Sequence, residues 1–176
     1  KTHCDIRSYN TIDGYRAAEL KFSEIPAKEL CKNSDAYNAL LETLYAGAFA
    51  LSAESIGAMQ VCFNMTLEYL KTREQFGKAI GSFQALQHRM VDIMIEIEQA
   101  KSAVMLAAGT YEADKNTKYK NISAAKNLVG RAGKLVAEEC IQLHGGIAMT
   151  WEYNLHNYAK RLVMIDHLMG DSDHHL

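Results

Sequence analysis

Arg73-Glu74-Gln75-Phe76-Gly77-Lys78-Ala79-Ile80-Gly81-Ser82-Phe83-Gln84-Ala85-Leu86-Gln87 sets an arginine just ahead of a Phe-Gly turn and a Phe-Gln pair at the opening of a new helix. Much later, Gln142-Leu143-His144-Gly145-Gly146 puts a Gln-x-x-Gly-Gly at another helix's end. Arginine offers a planar fork of donors for phosphate oxygens, glutamine an amide that donates and accepts, and glycine a backbone that a bulky ligand can approach. These are tools for holding a dinucleotide diphosphate without a glycine-rich strand-to-helix loop. Neither G-x-G-x-x-G nor G-x-x-x-x-G-K occurs in the chain.

Outward from that turn the chain is patterned as helix. From about Ser34 to Leu70, the residues Leu40, Leu44, Ala48, Leu51, Ser55, Met59, Phe63, Thr66 and Leu70 recur every three or four positions and predict one helix of about ten turns. Beyond the turn, Ser82 is the expected N-cap of a second helix carrying Phe83, Leu86, Met90, Met94, Ile97, Lys101, Val104 and Ala108, with the polar stretch Asp114 to Lys120 as a connection. A third helix carries Ile122, Ala125, Leu128, Ala132, Leu135, Glu139 and Leu143 and stops at Gly145-Gly146. A fourth, capped by Thr150, carries Trp151, Leu155, Tyr158, Leu162, Ile165 and Met169 over about five turns. Long helices with short connections predict a mainly α chain, an antiparallel four-helix bundle.

The first thirty residues differ: Cys4 to Ile12, a turn at Asp13-Gly14, and Tyr15 to Ser23 before Pro26 form a β-hairpin pattern. A lone hairpin is marginal in water, and the chain opens at Lys1 without a methionine, so a fragment is expected. Residues 1–30 then belong to a larger sheet that is missing here, and residues 31–176 form a helical domain.

A hydrophobic content of 48% over 176 residues suffices for one domain with a sizeable core. The net charge of −2 gives no reason to expect nucleic acid or an anionic membrane as partner. Cys4, Cys31, Cys62 and Cys140 form neither C-x-x-C pairs nor a dense disulfide framework, which fits a reducing cytoplasm. No window approaches eighteen uninterrupted apolar residues and no charged-then-apolar leader opens the chain, so neither membrane insertion nor export is expected. A di-iron carboxylate bundle needs Glu-x-x-His pairs, and none is present. Asp166, His167, Asp171, Asp173, His174 and His175 match no strong ligand template, so they read as a solvated helix terminus and no metal is expected.

Together the motifs resemble the C-terminal region of the acyl-CoA dehydrogenases. Thr72-Arg73-Glu74-Gln75-Phe76-Gly77 is the most specific stretch, and His144-Gly145-Gly146-Ile147 with Thr150-Trp151-Glu152 the next. Thr11-Ile12-Asp13-Gly14 and Ala17-Ala18-Glu19-Leu20 are similar to the last hairpin of that family's middle β-domain, and Ala53-Glu54-Ser55-Ile56-Gly57 to its first long C-terminal helix. The resemblance implies a four-helix domain for FAD binding and oligomerisation in a flavoprotein whose FAD lies between subunits. It implies that Arg73 and Phe76 contact the adenosine diphosphate portion across a subunit boundary, and that Gln84, with Phe83 packed beside it, reaches the same region. Gln142, Gly145 and Gly146 would hold a neighbouring subunit's cofactor near its diphosphate. The implied assembly is a homo- or hetero-oligomer, a dimer of dimers.

The implied reaction is α,β-dehydrogenation of an acyl-CoA thioester, in which a carboxylate removes the α-proton and the β-hydrogen passes as hydride to the flavin. Family members carry that Glu just before a Gly-Thr after the last helix, or on the first long C-terminal helix. The resemblance puts these positions at Met169, within Leu168-Met169-Gly170-Asp171, and at Gly47. Neither can accept a proton, so the catalytic base is unknown. Glu54, seven residues beyond Gly47 on much the same helix face, and Asp171, two beyond Met169, are the candidates inside the chain, each with an ordinary alternative as a solvated carboxylate. Heteromeric members, such as the pimeloyl-CoA and steroid-side-chain dehydrogenases, pair unlike subunits, and the ending Lys160-Arg161-Leu162 through Leu176 is similar to such chains. A subunit without its own base is therefore expected. Its rivals are an autonomous enzyme using Glu54 or another acid, and a structural subunit that stabilises a catalytic partner.

Overall fold

The computed structural model describes residues 4–31 and 33–176. Strands β1 (Cys4–Asn10) and β2 (Arg16–Phe22) pair antiparallel from Cys4↔Phe22 to Asn10↔Arg16. Their turn closes with the Thr11 N–H donating to the Tyr15 carbonyl at 2.8 Å and with Gly14 in the left-handed region at φ 86°. Ile6, Leu20 and Phe22 of this ribbon stay largely exposed.

Helices α1 (Asn33–Thr72), α2 (Gln84–Gly109), α3 (Lys115–His144) and α4 (Leu155–His167) form the bundle, with the two-residue strands β3 (Glu74–Gln75) and β4 (Lys78–Ala79) between α1 and α2. Phe49 packs on Tyr111 and Leu70 on Gly81, so α1 and α2 are antiparallel. The Arg89–Glu139 ion pair and the Asn121–Thr110 hydrogen bond give the same relation for α2 and α3. Gly133 against Leu162 and Lys126 against Asp166 give it for α3 and α4. It follows that α1 and α3 run the same way, and Tyr45 stacks on Tyr119 near one end while Tyr69 stacks on His144 near the other.

Helix α3 touches the other three, which explains its wide buried face and its small residues, Ala125, Gly130, Ala132, Gly133 and Ala137. Met59, Ile93, Ile97, Ile122, Leu155 and Leu162 fill the centre, each burial worth about 1.5–3 kcal/mol. Two buried hydroxyls are satisfied one turn back, Ser52 by the Ala48 carbonyl and Thr66 by the Cys62 carbonyl, both at 2.7 Å. All four cysteines are unpaired; burial pushes the Cys62 thiol up to about 12 and the Cys140 thiol to about 11, so both behave as core groups. By length and mean hydropathy α1 could cross a membrane, yet Ala48, Met59, Cys62 and Leu70 are buried against the other helices, as a bundle's core helix requires.

Three boundaries differ from the sequence reading. Phe83, not Ser82, caps α2: the Ser82 hydroxyl is taken by the Ala79 carbonyl in a 3-10 turn at Ile80–Ser82, and the Phe83 carbonyl accepts from Leu86 and Gln87. The polar stretch 114–120 is the start of α3, because the Asp114 carboxylate caps the Asn116 and Thr117 N–H groups at 3.1 Å while Lys118 and Tyr119 anchor on Glu42. Helix α4 begins at Leu155 and stops at His167: the Thr150 hydroxyl donates to Ile147 rather than capping, Trp151 is 81% exposed, and Met169 has a left-handed φ of 58°. Nor is the terminus merely solvated, since residues 168–176 fold back onto α3.

Candidate functional site

At one end of the bundle the C-terminus of α1, the N-terminus of α2 and the C-terminus of α3 converge. The Arg73 N–H donates to Tyr69 and the Arg73 carbonyl accepts from Ile80, both at 2.8 Å, which ties the β3–β4 hairpin to α1. Phe76 (φ 56°) and Gly77 (φ 77°) are both left-handed, the conformation of a two-residue hairpin turn. This holds the Phe76 side chain out at 90% exposure, with its ring edge-on to Phe83 at 6.1 Å. Lys78 lies 4.3 Å from the Phe83 ring centroid. Gly81 lets the turn close on α1, because a Cβ there would lie 2.8 Å from the Leu70 carbonyl oxygen. Among the described residues, the Arg73 guanidinium has no ion pair or side-chain hydrogen bond and the first turn of α2, at Gln84, has no side-chain cap.

On the neighbouring helix, the left-handed Gly145 (φ 67°) ends α3, its N–H donating to the Gln142 and Ile141 carbonyls. A Cβ at Gly145 or Gly146 would meet nothing within 4 Å, so the backbone there is bare, and Gln142 is exposed beside it. The two halves are joined by His144, to which the sequence reading assigned no role. Its Nδ1 lies 2.8 Å from the Cys140 carbonyl, an oxygen that only accepts, so Nδ1 carries the proton and Nε2 accepts from the Tyr153 hydroxyl at 3.1 Å. Burial holds its pKa below the ordinary imidazole value, and its ring stacks on Tyr69 at 4.5 Å. Arg73, Phe76, Phe83 and Gln84 therefore share one end of the molecule with Gln142, Gly145 and Gly146.

The two expected base positions meet elsewhere. A Cβ on Gly47 would lie 3.2 Å from Met169 Cγ and 3.3 Å from its Sδ and Cε, so the methionine side chain covers the glycine. A cavity of about 260 Å³ beside them is lined by Leu41, Leu44, Tyr45, Met169, His174 and His175. Fully buried Lys126 holds this tail, donating to the Asp166 carbonyl at 3.0 Å and the Gly170 carbonyl at 2.7 Å. Asn127 donates to Ser172, and a His175 ring nitrogen lies 2.9 Å from the Met169 carbonyl. Lys126 was missed in the sequence, although it falls between Ile122 and Gly130 on the buried stripe of α3. Along α1, Gly47 and Arg73 are about 39 Å apart at the usual helical rise.

The carboxylate candidates are engaged. Glu54 accepts two bonds from Arg161, at 2.6 and 2.8 Å, and Arg161 also donates to Asp13 of the hairpin turn at 2.9 Å. The Arg161 bond lowers the Glu54 pKa against a smaller burial effect. Asp171 accepts from the His174 N–H at 2.8 Å, which lowers its pKa too.

A family model described as acyl-CoA dehydrogenase, C-terminal domain, matches residues 37–176. The chain belongs to the acyl-CoA dehydrogenase family. It is 46% identical over 114 residues to acyl-CoA dehydrogenase IpdE2 of Mycobacterium tuberculosis, covering 65% of this chain and 34% of that protein. The Tcur3481-Tcur3483 steroid ACAD G363A variant superposes with a TM-score of 0.85 at 28% identity, covering 97% of this chain and 46% of that one. The ChsE4-ChsE5 complex of Mycobacterium tuberculosis shares the fold, with a TM-score of 0.87 at 22% identity, covering 98% and 47%. The chain thus spans between a third and a half of the acyl-CoA dehydrogenase relatives it matches.

Proposed function

We propose that the chain is the C-terminal helical domain of an FAD-dependent acyl-CoA dehydrogenase subunit that supplies flavin contacts but takes its α-proton base from an unlike partner. The observation that carries this reading is Met169 lying on Gly47: the positions from which the family's Glu acts share one place, and a thioether fills it. Glu54 is a poor substitute, because Arg161 holds its carboxylate ionised and weakly basic.

The residues at the other end fit a dinucleotide. Arg73 has a guanidinium unclaimed among the described residues, Gly145-Gly146 a bare backbone, and α2 a first turn without a side-chain cap, all suited to phosphate oxygens. Phe76, Phe83, Gln84 and Gln142 surround them. FAD supplies the hydride acceptor of the reaction. The chain's own part is to bind and orient it. A separation of about 39 Å along α1 between this cluster and Gly47 supports one chain serving two sites, each shared with a neighbour. The pairing in ChsE4-ChsE5 and Tcur3481-Tcur3483 supports an unlike partner, as does the intact flavin cluster against a purely structural role.

Absorption spectra of the full-length protein, purified with and without its partner, test the flavin assignment. Flavin bands at fixed stoichiometry in the assembled oligomer are expected. An assembled oligomer without flavin would leave only the structural role.

A further inference from the structure

Ser123, Lys126 and Asn127 stand three and four residues apart on α3, so they share a face, and each bonds the tail after α4. Lys126 is fully buried yet forms no ion pair among the described residues; its ammonium donates to the Asp166 and Gly170 carbonyls. Two imidazoles crowd the other side of the same glycine. A Cβ on Gly170 would lie 2.5 Å from His174 Cδ2 and 2.8 Å from His175 Nε2, and the two rings meet edge-on at 5.0 Å. One ammonium and two imidazoles thus surround Gly170, next to the Met169 that covers Gly47.

His175 bonds on both sides. Its Nε2 lies 2.9 Å from the Met169 carbonyl, which only accepts, so Nε2 carries the proton and Nδ1 accepts from the Ser123 hydroxyl at 3.1 Å. That pattern needs the neutral ring. A second proton on Nδ1 would turn the acceptor into a donor and set a new cation near the buried ammonium. The nearby carboxylates are engaged, Asp166 of α4 by the Ser172 N–H at 3.1 Å and Asp171 by the His174 N–H at 2.8 Å, while His167 acts on Asp171. Helix α1 faces the tail with Leu41, Leu44 and Tyr45, none of them a carboxylate. Burial lowers the His175 pKa against the Met169 bond, and the Lys126 charge lowers it further.

We propose that residues 168–176 are a strap latched by Lys126 and neutral His175, closed over Gly47 at neutral pH and released when His175 takes up a second proton. Release lifts Met169 off Gly47 and opens the cavity of about 260 Å³ between the tail and α1. What the opened site then admits rests on the function proposed above; the latch itself does not. A ring whose folded pKa lies below its unfolded value of about 6.5 contributes fully above that value, and its contribution is lost as pH falls through it.

Hydrogen exchange of the full-length oligomer, without acyl-CoA, reads the strap directly as the protection factor of residues 168–176. Between about pH 7.5 and 5.5 that protection should fall about five- to tenfold, near the limit for one imidazole that protonates only in the open strap. His175→Gln, whose amide can still donate to Met169 and accept from Ser123, should hold the change within about twofold. Lys126→Met should lower protection at both pH values and shrink the fall. His144→Gln, which alters the bundle's own response to acid, should leave the strap's fall in place. Protection that is constant with pH, an undiminished fall in His175→Gln, or a fall abolished by His144→Gln would each overturn the latch. An oligomer without flavin would refute the proposed function and leave this result as it stands.

Discussion

Arg73 is an exposed cation with no ion pair or side-chain hydrogen bond among the described residues, so its removal should be felt by a ligand and not by the fold. Arg73→Ala in the full-length protein is expected to weaken FAD binding by about 1.5–3 kcal/mol, the usual worth of a hydrogen bond to a charged group, while the melting temperature of the cofactor-free protein stays nearly constant. Equal FAD affinity in titrations of variant and parent would remove Arg73 from the site. His144 makes the opposite prediction. Its pKa is lowered by burial, so the folded state resists its protonation. The stability this gives is complete above the unfolded value of about 6.5 and is lost as pH falls through it toward the lower folded value. Melting temperature should therefore drop between about pH 7.5 and 5.5, and His144→Gln should flatten that drop, leaving the share due to His175, which burial lowers likewise. An unchanged slope would mean the ring titrates freely. The closeness of Arg73, Phe76 and Phe83 was legible because they fall in one continuous stretch. The Arg161 bridge to Glu54 and Asp13 was not, because its partners are 107 and 148 residues away and no local pattern encodes them.

Among the elements, the tail after α4 carries the sharpest predictions. Gly170 has a left-handed φ of 92°, and a Cβ there would lie 2.5 Å from the His174 ring, so Gly170→Ala should destabilise by more than 1 kcal/mol. Gly47→Ala should be tolerated or mildly stabilising, since the three atoms nearest the new methyl all belong to the flexible Met169 side chain and a helix gains up to about 1 kcal/mol from the exchange. Thermal denaturation of both variants checks the pair; a destabilised Gly47→Ala would show that Met169 is held rigidly. Lys126→Met keeps the buried stem but removes the donors to Asp166 and Gly170, and limited proteolysis should then cut the tail after His167 faster than in the parent. The helices themselves were legible from the recurrence of apolar residues. Their ends were not: Asp114 capping α3 and the early stop of α4 depend on hydrogen bonds that apolar periodicity does not report.

At the scale of the molecule, Val91, Met94, Ile95, Met105 and Leu106 leave an apolar stripe along the exposed side of α2, which supports burial against another subunit. Sedimentation of the full-length protein should show a dimer of dimers, and a stable monomer retaining stoichiometric FAD would contradict a shared site. The bundle, and the meeting of the Arg73 turn with Gly145-Gly146 at one end of it, could be foreseen because motif and periodicity agree along the chain. That Met169 and Gly47 meet could not, since they are brought together only by the tail that Lys126 holds. The most direct measurement is acyl-CoA-dependent flavin bleaching by the purified full-length protein, alone and co-expressed with an unlike subunit carrying a Glu at either base position. The account predicts little bleaching alone and substantial bleaching in the pair, with Glu54→Gln leaving the paired rate within about tenfold, whereas loss of a true general base costs about a hundredfold to ten-thousandfold. Full activity of the homomer, abolished by Glu54→Gln without loss of FAD or fold, would contradict it.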